Sequence, residues 1–155
     1  MPKSMSRKKL TAGDSVESIF SLDVKTSQRL PLFVTSISAG FPSPADDYID
    51  KSLDLNEYLV RHPAATFFVR VSGDSMINAG IHAGDILIVD RAEEAVNSKI
   101  IIAVVNGELT VKRLRIEKEA VYLIPENDAY SPIQITSGME FEVWGVVTHV
   151  IHTIK

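Results

Sequence analysis

The sequence of 155 residues predicts a mostly β protein. Antiparallel strands form a folded sheet or partial barrel with one short helix, preceded by a mobile N-terminal arm. Three observations carry this expectation. From Ala65 onward, runs rich in Val and Ile follow one another, a composition that suits strands. Turn signals separate the runs, among them Asn106-Gly107, the strongest short hairpin dipeptide. No segment of helical period lies between them, which argues against parallel βαβ units.

Taken in order, residues 1–38 show no sustained period, because Ser, Thr, Lys and Asp interrupt every apolar pair. Only Leu30–Ile37 suits a strand there, and Pro31 confines it to an edge or to extended chain. Ala39-Gly40-Phe41-Pro42-Ser43-Pro44 is a break rich in turn formers, and its two prolines favour extended backbone. Asp54–His62 reads as the helix. Asp54 is the N-cap, Glu57 the third helical residue, Leu55, Tyr58 and Leu59 an apolar stripe, and Pro63 the stop. The expected strands are Phe67–Ser72, Ile86–Asp90, Ile100–Val105, Glu108–Ile116, Val121–Pro125 and Phe141–Ile151. There is no internal repeat and no low-complexity tract.

Composition excludes several classes. Hydrophobic residues make up 45% and charged residues 23%, too apolar for a chain disordered throughout. With no Cys there is no disulfide framework, thiolate zinc site or cysteine nucleophile. No apolar run approaches the roughly 18 residues of a membrane span. Met1–Leu10 is basic but no apolar stretch follows, so a secretory signal is not expected and the expectation is a soluble, cytoplasmic protein. The net charge of −4 is unevenly spread. Residues 1–39 hold six basic and three acidic side chains, and residues 40–155 hold ten and seventeen. An acidic body argues against broad, autonomous DNA binding, and Arg7-Lys8-Lys9 reads as a solvated tail.

Four histidines raise the question of a metal. His149 and His152 are three apart in an expected strand, so they point to opposite faces. His62 ends the helix and His82 lies in a loop flanked by glycines. Surface or satisfied histidines, with no metal, are the expectation. Ser72-Gly73-Asp74-Ser75-Met76 is a stronger signal. Gly73 permits a sharp turn that places Ser75 at the end of a strand, with backbone N–H groups free to face an oxyanion. After Asn106-Gly107, period-two alternation puts Thr110, Lys112, Leu114 and Ile116 on one face and Leu109, Val111, Arg113 and Arg115 on the other. Lys112 thus points with two aliphatic residues. A buried lysine tends to lose its proton, and a neutral lysine is a competent general base. Thr110 on the same face is placed to orient the amine. Each of these signals alone has a bland reading, a turn serine and a lysine that snorkels to water.

Together these residues resemble the self-cleaving Ser/Lys peptidases of the LexA/UmuD type, over nearly all of residues 39–155. The resemblance rests on Ala39-Gly40 as cleavage junction, Ser72-Gly73-Asp74-Ser75-Met76 as nucleophile motif, Gly84-Asp85-Ile86-Leu87-Ile88-Val89-Asp90 as the following strand, and Gly107-Glu108-Leu109-Thr110-Val111-Lys112 as base motif. Gly40–Ala45 and Asn127–Ile133 look like the mutagenesis-protein branch rather than the repressors. Ser75 and Lys112 are 37 residues apart, a spacing within the family's habit. The arm before the junction is longer than in that branch.

The resemblance implies a LexA-type peptidase fold and a serine endopeptidase that cuts its own Ala39–Gly40 bond. Ser75 would be the nucleophile and Lys112 the base, with Gly73, Asp74, Met76 and Thr110 in support and neither cofactor nor metal. It implies an arm (residues 1–39) removed by cleavage and a body (residues 40–155) retained. The implied setting is the SOS response to DNA damage. Cutting is stimulated by a RecA filament on single-stranded DNA, both forms are homodimers, and the cut form serves a UmuC-type DNA polymerase in translesion synthesis, without sequence-specific DNA binding and without a membrane. The competing readings are a LexA-like repressor fragment and an interaction module that does not cleave. Residues 1–39 lack a helix-turn-helix pattern, which disfavours the first.

Overall fold

A computed structural model describes residues 11–12, 16–21, 29–33 and 49–155. The junction Ala39-Gly40 and the residues around it lie outside the described residues. The chain divides into two compact units, one of residues 1–22 with 62–155 and one of residues 23–61.

The smaller unit pairs β3 (Arg29–Phe33) with β4 (Ile49–Asp54) in a two-stranded antiparallel ribbon, followed by helix α1 (Leu55–Leu59). In such a ribbon both strands are edges, so Pro31, opposite Ser52, deletes no ladder bond from a central position. Only the part of the expected Leu30–Ile37 strand up to Phe33 lies among the described residues. The helix is shorter than Asp54–His62. Asp54 caps it as expected, its side chain accepting the Asn56 N–H at 3.0 Å. The helix ends where Val60 turns extended, φ −121°, and Pro63 instead opens a separate 3₁₀ turn over Pro63–Ala65. Of the apolar stripe, Leu55 and Tyr58 are exposed and Leu59 is half-buried.

In the larger unit β1 (Thr11–Ala12), β2 (Val16–Ser21), β5 (Thr66–Val71), β6 (Ile86–Asp90), β7 (Ile100–Val105), β8 (Glu108–Glu117), β9 (Ala120–Ile124), β10 (Ile133–Ile135) and β11 (Phe141–Ile151) form one sheet. Its order is β10-β9-β8-β7-β11-β6-β5-β2, antiparallel throughout, with β1 added in parallel to β8. The six expected strands of this region form, each end within one residue of its expected place. Strands β1 and β2 depart from the expectation of an arm without regular structure. Strand β2 is half polar because it is an edge strand, and only Val16 is buried.

The sheet curls into a half-barrel. Both faces of its middle are covered, which is why β7 reads Ile-Ile-Ile-Ala-Val-Val without alternation. Ile102 and Val104 join a large cluster with Phe67, Val69, Leu87, Val89 and Trp144. Ile101 and Ala103 join a smaller one with Leu114, Leu123 and Val146. Fully burying one such side chain contributes about 1.5–3 kcal/mol. The long central strand β11 carries two register shifts, at Val143/Gly145 against β7 and at Val147/His149 against β6. Bulges of this kind bend a strand and raise its twist. At the first, Gly145 lets β11 approach β6 so closely that a Cβ there would sit 2.7 Å from Val89 Cγ1. Between β7 and β8, Asn106 and Gly107 both take positive φ, 49° and 83°, the two-residue hairpin turn expected of this dipeptide. Among the described residues, no helix is long and apolar enough to cross a membrane.

Candidate active site

Strand β5 ends at Val71, and the chain must then cross to β6, its antiparallel neighbour. Gly73, at φ 72°, turns it sharply. This conformation is one that residues with a Cβ seldom adopt. The turn swings Ser75 inward to 2% exposure and seats Met76, 1% exposed, in the large cluster. Met76 thereby anchors the turn to the core. A 3₁₀ turn over Ile77–Ala79 follows, closed at Gly80 in the left-handed region.

The connection between β9 and β10 holds the outer side of this turn. Glu126 N–H donates to Ser75 O at 2.8 Å, and Asn78 N–H to Glu126 O at 2.8 Å. Asn127 Nδ2 donates to Asp74 O at 2.9 Å and Tyr130 OH to Asp74 Oδ1 at 2.7 Å. Asp74, itself exposed, is thus an attachment point, and Ser75 is gripped from both neighbours. Glu126 also pairs with the Arg113 guanidinium.

Strand β8 brings Lys112 to the same place. Its residues Leu109 to Lys112 are all buried, because β8 runs between two packed layers there. Leu109 and Val111 enter the large cluster, and Leu114, on the other face, the smaller one. Lys112 shares the face of Leu114 as the alternation predicts, whereas Ile116 farther along is 41% exposed. Lys112 is only 4% exposed, so it does not snorkel. Its Nζ lies 3.3 Å from Ser75 Oγ, and it donates to Thr110 Oγ1 at 2.8 Å and to Val111 O at 3.1 Å. Of the residues singled out in the sequence, Gly73, Asp74, Ser75, Met76, Thr110 and Lys112 are therefore brought together.

Thr110 and Lys112 also line a cleft of about 410 Å³, bounded by Leu109, Ile133 and Met139. On its β7 side β8 is paired from Glu108 to Arg113, but β9 joins only at Arg113 and β1 only at Glu108 and Leu109.

The positioning roles of Glu126, Asn127 and Tyr130 were not visible in the sequence, although Asn127–Ile133 was among the stretches that carried the resemblance. Two of the histidines are surface groups satisfied by buried carboxylates, within the expectation. His62 Nδ1 lies 2.6 Å from Asp90 Oδ2, and His152 Nδ1 lies 2.6 Å from Asp85 Oδ1, with the His82 ring alongside.

The Peptidase S24-like family profile matches residues 31–148 of this chain. Among curated proteins, the chain is 50% identical to protein SamA of Salmonella typhimurium over 125 residues, which cover 81% of this chain and 86% of SamA. It is 49% identical to protein ImpA of Escherichia coli over 129 residues, 81% of this chain and 85% of ImpA. Protein MucA of Escherichia coli is 47% identical over 121 residues, 77% of this chain and 82% of MucA.

Proposed function

Because this chain belongs to the Peptidase S24-like family, we propose that it is a self-cleaving serine peptidase in which Ser75 is the nucleophile and Lys112 the general base. One observation carries the reading: Ser75 Oγ and Lys112 Nζ are 3.3 Å apart, and both residues are buried. Burial disfavours an ammonium and favours a neutral amine. In the neutral amine, two N–H bonds go to Thr110 Oγ1 and Val111 O, and the lone pair is left for the Ser75 hydroxyl.

The substrate is the chain's own Ala39–Gly40 bond, presented as extended backbone. Lys112 takes the Ser75 proton as Oγ attacks the Ala39 carbonyl. Backbone N–H groups of the turn around Ser75 hold the oxyanion. Protonated Lys112 then passes its proton to the Gly40 amine as the C–N bond breaks. Water hydrolyses the ester left on Ser75, again with Lys112 as base. Small side chains at both junction residues suit a narrow cleft. Ser/Lys pairs are an established variant of the serine-hydrolase arrangement.

In the setting that the resemblance implies, the uncut homodimer meets a RecA filament on single-stranded DNA, which stabilises a cleavable conformation rare in the free protein. Residues 1–39 are released, and the body, residues 40–155, joins a UmuC-type polymerase in translesion synthesis. Incubation of the chain at alkaline pH, and separately with RecA, single-stranded DNA and a nucleoside triphosphate, tests this reading by mass spectrometry. Cleavage should yield one product that begins at Gly40. A different new N-terminus, or an intact chain under both conditions, would overturn it.

A further inference from the structure

At the far end of the connection that carries Ser75, a second polar cluster forms from two separate places in the sequence. Residues His82 and Asp85 sit in a tight turn just before β6, closed by Asp85 N–H to His82 O at 3.0 Å. Gly84 within it takes φ 91°. The turn is pinned to β5 by Gly84 N–H to Val71 O at 2.8 Å and by Val71 N–H to Asp85 O at 2.9 Å. Arg70 adds a bond to Gly84 O. His152 arrives from β11. That strand pairs Ile151 with Ile86, so the next residue of β11 falls beside Asp85.

The Asp85 carboxylate is the hub, with its side chain 2% exposed. Oδ1 lies 2.6 Å from His152 Nδ1. Oδ2 accepts the His82 backbone N–H at 2.8 Å and lies 3.7 Å from His82 Nδ1. That last distance is too long for a hydrogen bond. His82 Nδ1 is closed off from solvent and has no hydrogen-bond partner among the described residues. Buried polar atoms in native structures are nearly always paired. An imidazole nitrogen turned inward toward a buried carboxylate, with nothing to bond, needs a third group.

We propose that His82 Nδ1, Asp85 and His152 Nδ1 form a binding site for a divalent transition-metal ion of the zinc class. The three donor atoms lie within 4.8 Å of one another. On a tetrahedral zinc ion with bonds of about 2.0–2.1 Å, ligand atoms are about 3.3 Å apart. His152 Nδ1 is 2.6 Å from Asp85 Oδ1 and His82 Nδ1 is 3.7 Å from Oδ2, distances on either side of that value. Two imidazoles and one carboxylate suit zinc, cobalt or nickel better than calcium or magnesium, which take oxygen ligands. The chain has no Cys to offer a thiolate site instead. Both imidazole side chains are 45% exposed, so the rings border solvent although His82 Nδ1 itself is covered.

In the metal-free form His152 Nδ1–H donates to Asp85. When the ion binds, that proton moves to Nε2 through solvent or is released, Nδ1 gives its lone pair to the metal, and the carboxylate exchanges a hydrogen bond for a metal–oxygen bond. The ion then ties the β5–β6 connection to the end of β11. The second group of this kind, His62, Asp90 and Glu93, offers only one imidazole. It serves as the internal control.

The test uses the untagged full chain stripped with a chelator, then titrated with Co²⁺ and followed by visible absorption. Competition with Zn²⁺ and calorimetry complete it. The expected result is saturable uptake of one ion per chain, with the strong ligand-field bands of a four-coordinate site. His82→Ala and His152→Ala should each weaken uptake at least about tenfold, and His62→Ala should leave it unchanged. Far-UV circular dichroism checks that each variant is folded. Independently of any variant, Zn²⁺ must raise the thermal midpoint of the parent chain, because an ion that binds only the folded state stabilises it. No saturable uptake, uptake by His152→Ala equal to the parent's, or loss on His62→Ala alone would each overturn the proposal.

Discussion

The connection between β5 and β6 delivers a polar side chain to the interior at each of its ends, and the two ends differ in one respect. At the first, Ser75 (2% exposed) meets Lys112 (4% exposed). At the second, Asp85 (3% exposed) meets two imidazoles whose side chains are 45% exposed. The central residues are equally buried, so burial of the hub does not distinguish the sites. The access of the partner to water does. A cation sealed from solvent is favoured in its neutral form, which suits the first end to the proton transfer proposed for it. Half-exposed imidazoles border solvent, which suits the second end to the ion proposed for it. The glycine turns at Gly73 and Gly84, both at positive φ, set the two ends apart along one short stretch of chain.

The comparison breaks most decisively at the sealed end. Ser75→Ala and Lys112→Arg should each reduce self-cleavage by at least about a hundredfold, since loss of positioned acid–base chemistry costs about 10²–10⁴ in rate. Arginine stays protonated in proteins, so Lys112→Arg keeps the charge and loses the base. Ser75→Ala should change unfolding stability by no more than about 1 kcal/mol. A gel time course and urea unfolding check both. Comparable cleavage in either variant would move the chemistry elsewhere.

The next effect is graded with pH. A buried amine is disfavoured in its charged form, so the proposed role of Lys112 as base ties the rate to its folded pKa. Below that folded pKa the amine is protonated and idle, so each unit of falling pH removes about tenfold of the active form. The rate of unassisted cleavage should therefore climb from neutral to alkaline pH and level off near the folded pKa. A flat profile would remove Lys112 from the role of base.

A smaller effect lies where β11 crosses the end of β6 at Val89 and Asp90. Gly145→Ala places a Cβ 2.7 Å from Val89 Cγ1 and 3.1 Å from Asp90 O. The second of these is backbone and cannot rotate away, so the variant should lose about 1–3 kcal/mol by overpacking, read from chemical denaturation. Unchanged stability would mean that β11 and β6 separate more easily than their pairing implies.

How far these features were legible in the sequence follows from their physics. Strands buried on both faces, such as β7, announce themselves through unbroken Val and Ile. Edge elements do not. Strand β2 reads Val-Glu-Ser-Ile-Phe-Ser, and β10 has three residues, too few for a period. The Asp54 cap was visible because capping is local. The end of α1 was not, because Val60 turns extended three residues before the proline that was expected to stop the helix. Ser75, Thr110 and Lys112 stood out because each lies in a short motif, and a hairpin face fixes where Lys112 points. The His82–Asp85–His152 cluster was illegible. His152 is 67 residues from Asp85, and only the β11–β6 register joins them. The rule that His149 and His152 face apart holds for a continuous strand, but β11 ends at Ile151 and the partner of His152 is an aspartate in another loop.

The finest distinction concerns what keeps the sealed end in register. Tyr130 OH reaches Asp74 Oδ1 at 2.7 Å across a surface-exposed contact. Removing it should cost about 0.5–1 kcal/mol of stability at most, the ordinary net worth of such a bond. Its neighbour Asn127, bound to Asp74 O, and the Glu126 N–H to Ser75 O bond remain in place. If these contacts only glue two loops, Tyr130→Phe should lose that stability and nothing else. If they aim Ser75, the variant should also cleave several-fold more slowly, because displacement of a nucleophile by a fraction of an ångström is felt in rate. The pH profile should keep its midpoint, since Lys112 is untouched. We expect the slower rate with the unchanged midpoint. A rate equal to the parent's would assign Tyr130 to loop packing, and a shifted midpoint would tie it to the environment of Lys112 rather than to the aim of Ser75.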